Sequence, residues 1–402
     1  MKWRLRLMML FEYAIWGAWF VTVGTWLGKT LHFSGQEIGA IASTTAIGAM
    51  ISPLFVGLLA DRLFDTRRVL AALHVLGAVL LVVAARQTSF LALYATLLAY
   101  SLCYMPTLAL TTSLAMRHIA DPREEFGGIR VLGTIGWIVV GLIVGKWGVE
   151  GTATPLHLAA GLSVVTAIYC LTLPATPPLA RHQRFELRHA LPLEALHLLR
   201  DRSMAIFALA SFLICIPLQF YYAFTNLFLN EVGVVNAVGK MTGGQMSEIL
   251  CMLLIPWFFR RLGVKYMLAV GMLAWVVRYV MFAFGAPGEL MWMLWLGIVL
   301  HGICFDFFFV VGQIYIDREA PPALRAATQG LITFLTYGLG MFVGSWLSGR
   351  VVDMYAAQGA AAHDWRPIWL IAGACAALVL VLFVLMFKDR KDTVGNPVAV
   401  AD

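Results

Sequence analysis

Apolar residues gather into long runs separated by brief polar punctuation, and this pattern continues almost to the end of the chain. The runs cover about 5–31, 38–60, 69–85, 90–116, 129–147 and 156–173, then about 204–229, 241–259, 267–284, 290–316, 324–347 and 368–387. Each is near or above the ~17 residues a helix needs to cross a bilayer. The pattern therefore predicts an all-α membrane protein with twelve transmembrane helices. The longest polar interruption, with Pro174, Pro177 and Pro178 followed by Arg181, Arg184, Arg188, Arg200 and Arg202, divides them six and six. It predicts an N-terminal half at 1–180, a cytoplasmic linker at 181–202, a C-terminal half at 203–388 and a disordered tail at 389–402. Two six-helix halves joined by a basic linker are the layout of carriers whose halves rock around a site at the bilayer midplane.

Composition agrees with the pattern. Of 402 residues, 61% are hydrophobic and 13% charged, where soluble domains carry roughly 25% charged residues. With both termini placed in the cytoplasm, 21 of the 29 Lys and Arg fall on that side. Six (Lys29, Arg86, Lys146, Lys240, Arg350, Arg366) fall opposite, and Arg130 and Arg278 lie within spans. Positive charge favours the cytoplasmic side, so this count orients the protein. The net charge of +7 is thus distributed as topology determinants, and no nucleic-acid partner is expected. All six cysteines lie in predicted spans without CxxC spacing and read as small packing residues, with no disulfide, metal site or cofactor expected. The first apolar run lacks the short core and cleavage site of a signal peptide and is expected to be retained.

The loop after the second span reads Gly57-Leu-Leu-Ala-Asp61-Arg62-Leu-Phe-Asp-Thr-Arg67-Arg68. It resembles the gating motif of the major facilitator superfamily, in which a helix-end glycine, an aspartate and a basic cluster latch the cytoplasmic side. The glycine usual before the last basic pair is replaced by Asp65-Thr66. A weaker echo, Arg260-Arg261-Leu-Gly263-Val-Lys265, occupies the equivalent loop of the second half. Asp121-Pro122-Arg123 before span five is likewise matched by Pro321-Pro322-Ala-Leu-Arg325 before span eleven. Paired punctuation of this kind points to a duplicated half, and the motif's resemblance implies a pseudo-symmetric major facilitator fold.

Charged groups inside apolar runs are costly and mark ion or substrate pathways by default. Asp306 lies among aromatics in His301-Gly-Ile-Cys-Phe305-Asp306-Phe307-Phe308-Phe309, and Glu248 shares a helix face with Gln245. Arg130, Thr134 and Trp137, at i, i+4 and i+7, put a guanidinium, a hydroxyl and an indole on one face. Gln219, Tyr222 and Asn226 recur with similar spacing just after Pro217, which could break the helix and free carbonyls. Phe305 and Phe309 could stack a flat base or cover a sugar face. Competing readings stand beside these. Arg130 could snorkel to the surface, the span-seven amides could join helices, and Asp306 could form a structural ion pair with Arg278. Glu12, followed by Trp16 and Trp19, is expected to be an interfacial acid. His74 and His301 have no metal-ligand spacing and are expected to serve helix packing, with a proton relay as the competing reading. Gly233 to Lys240 has the wrong spacing for a phosphate loop, so any uphill transport must run on an ion gradient.

Trp16-Gly-Ala-Trp19, Tyr104-Met-Pro-Thr-Leu108, Ile129-Arg130-Val-Leu-Gly-Thr134-Ile-Gly136, Ser247-Glu248, Phe305-Asp306-Phe307-Phe308 and Arg325-Ala-Ala-Thr-Gln329-Gly330 occur in order along the chain. Together they resemble the nucleoside:proton symporters of the major facilitator superfamily, the bacterial nucleoside permeases. The resemblance implies a non-enzymatic, proton-coupled nucleoside importer of a bacterial inner membrane, with nucleoside, protons and the lipid bilayer as partners and a monomer as the working unit. Carried over by position, it places Arg130, Thr134, Gln219, Gln245, Glu248 and Asp306 on the central cavity. Trp137, Tyr222, Asn226, Phe305 and Phe309 complete the expected substrate site, with Glu248, Asp306 and Arg130 coupling protons. Tyr221-Tyr222, where a small polar or amide residue is expected, and the bulky Phe309 depart from the pattern. A carrier for another polar solute, such as a sugar or nucleoside-like compound, or an exporter, is the competing expectation.

Overall fold

The computed structural model describes residues 1–55, 64–178, 193–357 and 363–389. Its helices are α1 (Lys2–Lys29), α2 (Gly35–Phe55), α3 (Thr66–Ala84), α4 (Phe90–Arg117), α5 (Pro122–Trp147) and α6 (Thr154–Thr172). A short 3₁₀ helix, Leu193–Arg200, precedes α7 (Arg202–Glu231). Two helices then follow end to end over Ala237–Phe284, 48 residues, with Gly263 at φ 67° and ψ −179° between them. A straight helix of that length would reach about 70 Å, more than twice the hydrocarbon thickness. The kink at Gly263 instead makes two spans, α8 (237–262) and α9 (264–284). Then come α10 (Met291–Glu319), α11 (Arg325–Met354) and α12 (Trp365–Met386). Twelve spans thus result among the described residues, although the sequence pattern expects a loop where the chain makes only a glycine elbow.

Short carboxylates fix where several helices begin. Asp65 accepts from the Arg67 amide at 3.0 Å, Asp201 from the Met204 amide at 3.0 Å and Asp364 from the Arg366 amide at 3.3 Å, each satisfying a donor the helix itself cannot pair. Arg67 also donates to the Leu173 carbonyl at 3.1 Å, while Arg68 is exposed. Gly57, Asp61 and Arg62 of the gating motif lie outside the described residues, as does most of the linker. Asp389, the first residue of the expected tail, is buried and accepts from Arg318 at 2.6 Å; the rest of that segment lies outside the described residues.

α7 stays helical through Pro217, contrary to the predicted break; the Tyr279 hydroxyl donates to the Pro217 carbonyl at 2.6 Å. The irregular helix is α10. It bends at Leu300 and opens into a π turn over Asp306–Val310. α11 carries another π segment, Phe334–Gly340. Such turns misalign the helix register and frequently mark functional sites.

Between apolar helices in lipid, association relies on close packing instead of water exclusion, so small residues set the seams. The halves meet along three of them at the end of the bundle away from the termini: α1 on α7, α2 on α11, and α5 on α8. At Gly35 a Cβ would lie 2.6 Å from the Gly349 carbonyl oxygen, and at Gly141 2.8 Å from the Thr242 methyl. Glycine is what lets these backbones touch.

Candidate transport cavity

A cavity of about 400 Å³ lies between the halves, within the size range of small-molecule sites. The N-terminal half contributes Tyr13, Trp16 and Phe20 from α1, Thr45 and Ser52 from α2, Met105 and Leu108 from α4, and Arg130, Thr134 and Trp137 from α5. Across it stand Tyr222 of α7, Gln245 and Glu248 of α8, His301 and Phe305 of α10, and Thr333, Tyr337 and Met341 of α11. Helical spacing brings Arg130, Thr134 and Trp137 to one wall and Gln245 with Glu248 to the other. Seven of the residues read from the sequence as substrate contacts thus share one space.

Aromatic rings form most of the wall. Trp16 and Trp137 meet edge to face at 5.6 Å, Phe20 lies 5.9 Å from Tyr222, and His301 lies 5.9 Å from Phe305. Rings from both halves thereby supply flat apolar faces. The polar groups sit between them. The Arg130 guanidinium carbon stands 3.9 Å above the Tyr13 ring, a cation–π contact inside the wall in place of a route to the surface. Arg130 and Glu248 enter from opposite halves. The His301 Nδ1 and Trp16 Nε1 atoms are buried without hydrogen-bond partners, leaving unspent polar capacity beside the cavity.

Four predicted contacts lie elsewhere. Asp306 is 0% exposed, and neither carboxylate oxygen has a hydrogen-bond partner. It sits one turn after Gly302, whose amide donates to the Ser247 hydroxyl at 3.0 Å and whose backbone presses on α8. The competing Asp306–Arg278 ion pair does not form. Arg278 instead donates to the Gly297 carbonyl at 2.8 Å, made available by the bend at Leu300, and lies 3.9 Å over the Tyr221 ring. Gln219 is buried against Gly344 of α11, with its carbonyl oxygen unpartnered. Asn226 lies in the distal seam: it donates to Glu150 at 2.8 Å and accepts from Thr25 at 2.5 Å. Phe309 packs edge to face on Trp275 and Phe308, behind Phe305.

Glu12 is not interfacial. Its side chain is 0% exposed and meets the His74 imidazole at 3.1 Å and the Thr107 hydroxyl at 2.6 Å, while the Tyr104 hydroxyl donates to its backbone carbonyl at 2.6 Å. Trp19 turns inward with it, onto Tyr100, and only Trp16 of that trio reaches the cavity. The wall residues not singled out beforehand include Tyr13, Phe20, Thr45, Ser52 and Tyr337, and His301, expected to serve helix packing, also lines the cavity. Tyr13, Trp16 and Phe20 do carry a signal in their i, i+3, i+7 spacing, although such a stripe equally describes a packed face.

The profile described as "Nucleoside H+ symporter" matches residues 1–392. The putative nucleoside transporter YegT of Escherichia coli K12 is 41% identical over 404 residues, covering 97% of this chain and 95% of that protein. Nucleoside permease NupG of the same organism is 33% identical over 407 residues, covering 97% and 96%. The crystal structure of NupG superposes with a TM-score of 0.89 at 32% identity, over 97% of this chain and 99% of the other. The chain is therefore a multi-pass membrane transporter of the major facilitator fold, and it belongs to the nucleoside H+ symporter family.

Proposed function

We propose that this chain imports nucleosides together with protons across a bacterial inner membrane, working as a monomer with both termini in the cytoplasm. The observation that carries this reading is the cavity between the halves, which combines an aromatic wall with Arg130 and Glu248 on opposing sides. A nucleoside needs both chemistries, because its base is a flat π system and its ribose and base edges are hydrogen-bonding groups. Trp137, Tyr222 and Phe305 would stack the base or cover the sugar. Gln245 and Thr134 would hydrogen-bond its edges.

Asp306 and Glu248 are the proton carriers in this reading, with Arg130 helping to return the emptied carrier. An ionised carboxylate buried without hydrogen bond or counter-ion costs several kcal/mol, and Asp306 has neither. A proton on Asp306 removes that cost, and its π turn on α10 links it to the helix that presents His301 and Phe305. Gln219, Asn226 and Phe309 support the helices behind the wall. With the termini cytoplasmic, the glycine seams close the outer side, so the cavity belongs to an inward-facing state. The halves at 1–180 and 203–388 would rock about it, and Arg67 and Arg68, together with Gly57, Asp61 and Arg62, would latch the inner side in the opposite state.

Proteoliposomes with an imposed pH gradient test the proposal. Labelled nucleoside should accumulate when the outside is acidic, and a protonophore should collapse the accumulation. Failure of any nucleoside in a purine and pyrimidine panel to accumulate, with another polar solute accumulating instead, would overturn the substrate assignment.

A further inference from the structure

Two carboxylates outside the cavity cross from one half to the other in related ways. Glu150 follows the distal end of α5. One of its oxygens accepts from the Val238 amide at the start of α8, at 3.1 Å. The other accepts from the Asn226 and Asn230 side-chain amides of α7 at 2.8 and 2.9 Å. Glu150 is 5% exposed, so these bonds are shielded from water. Asp353, near the distal end of α11, accepts from the Gly35 and Gln36 amides at the start of α2 at 2.5 and 2.9 Å.

In a 6+6 duplicated plan, α2 corresponds to α8 and α5 to α11. The N-terminal half thus caps a helix start of the C-terminal half, and the C-terminal half caps the corresponding helix start of its partner. Orphan amides at a helix start carry partial positive charge, so a carboxylate is the favoured acceptor for them. Both caps lie across the seams where the halves touch, and neither can persist once those seams part.

We propose that Glu150 and Asp353 are the paired positioning residues of the outer gate, two reciprocal caps that set the equilibrium between the sealed and open outer side. The proposal rests on the alternating-access reading above, with its substrate left open. Ordinary caps would stabilise only their own helix starts. A shared gate couples the two: loss of either cap raises the open population, and opening frees both helix starts together.

Hydrogen–deuterium exchange on the full-length protein in lipid nanodiscs separates these cases, because the amides of Gly35, Gln36 and Val238 are themselves the reporters. Glu150→Ala should speed exchange around 35–39 as well as around 237–241, and Asp353→Ala should do the same in reverse. An increase of about tenfold at the remote seam is expected, the weight of one hydrogen bond to a charged group. Faster exchange confined to the helix start that lost its cap would overturn the proposal, as would no change at either. Should an alanine variant fail to fold, Glu150→Gln and Asp353→Asn keep the side-chain size and must show the same remote effect at smaller amplitude. The measurement uses no substrate, so it stands or falls separately from nucleoside accumulation by the wild type.

Discussion

Glu12 in the N-terminal half and Asp306 in the C-terminal half are both fully buried, yet Glu12 meets His74 and Thr107 whereas both oxygens of Asp306 meet nothing. In sequence they look alike, an acid in an apolar run beside aromatics. The structure separates them by what surrounds them. A carboxylate with an imidazole and a hydroxyl in reach has its desolvation offset within one half, and nothing in that arrangement must change as the halves move. A carboxylate without partners is stabilised by whatever arrives, and a proton is the smallest such visitor. On the proposed reading, burial alone does not mark a transport residue; the missing partner does.

The sharpest way to break the comparison is Asp306→Asn, which keeps the shape and removes the proton site. Gradient-driven accumulation should fall about 100-fold or more, to the level of passive equilibration, as expected when an essential intramembrane acid is lost. Normal accumulation in this variant would make Asp306 a structural residue like Glu12. Removing one member of the other pair, by His74→Ala, should act on stability instead. Breaking a buried pair costs about 3–5 kcal/mol, to be read as a lower thermal midpoint in detergent, while any folded fraction keeps its response to the pH gradient. A coupling defect at undiminished stability would erase the distinction.

A smaller effect sharpens the same point among the amides. Gln245→Ala removes a cavity-wall hydrogen-bonding group and should weaken nucleoside binding about tenfold, since an unsatisfied buried partner costs ~1–3 kcal/mol. Gln219→Ala, behind the wall, should leave binding within about twofold, within the small spread expected of a residue without ligand contact. Equal losses would place Gln219 on the ligand. Least in magnitude, Tyr222→Asn should reorder a panel of competing purine and pyrimidine nucleosides without abolishing transport. It exchanges a stacking ring for an amide, a difference of about 0.5–1.5 kcal/mol. An unchanged order and unchanged affinities would remove Tyr222 from the site.

Much of this molecule was legible from hydropathy. Twelve apolar runs correspond to twelve spans among the described residues, because in lipid the helix is the only open-ended element that satisfies its own backbone. Intrahelical faces were also readable, so Arg130, Thr134 and Trp137 do converge. What each face meets was not. Gln219 and Asn226 share a face of α7, yet one ends against Gly344 and the other on Glu150, 76 residues away in sequence. Glu12 finds His74 across 62 residues, a pairing no helical period encodes. Tyr13 and Phe20 were ambiguous for a different reason: their shared face was readable, but aromatic side chains suit lipid, core and cavity alike.

The glycine seams have a consequence in conformational entropy. Ordering a long side chain costs up to about 2 kcal/mol, whereas glycine has no side chain to order. When the halves close along Gly35, Gly141 and their neighbours, few rotamers are frozen, and few must be released when the halves part. The seam surfaces can separate and rejoin many times without a slow search for the same interlocked arrangement, which is what a carrier, unlike a permanent interface, requires of the faces it must repeatedly expose.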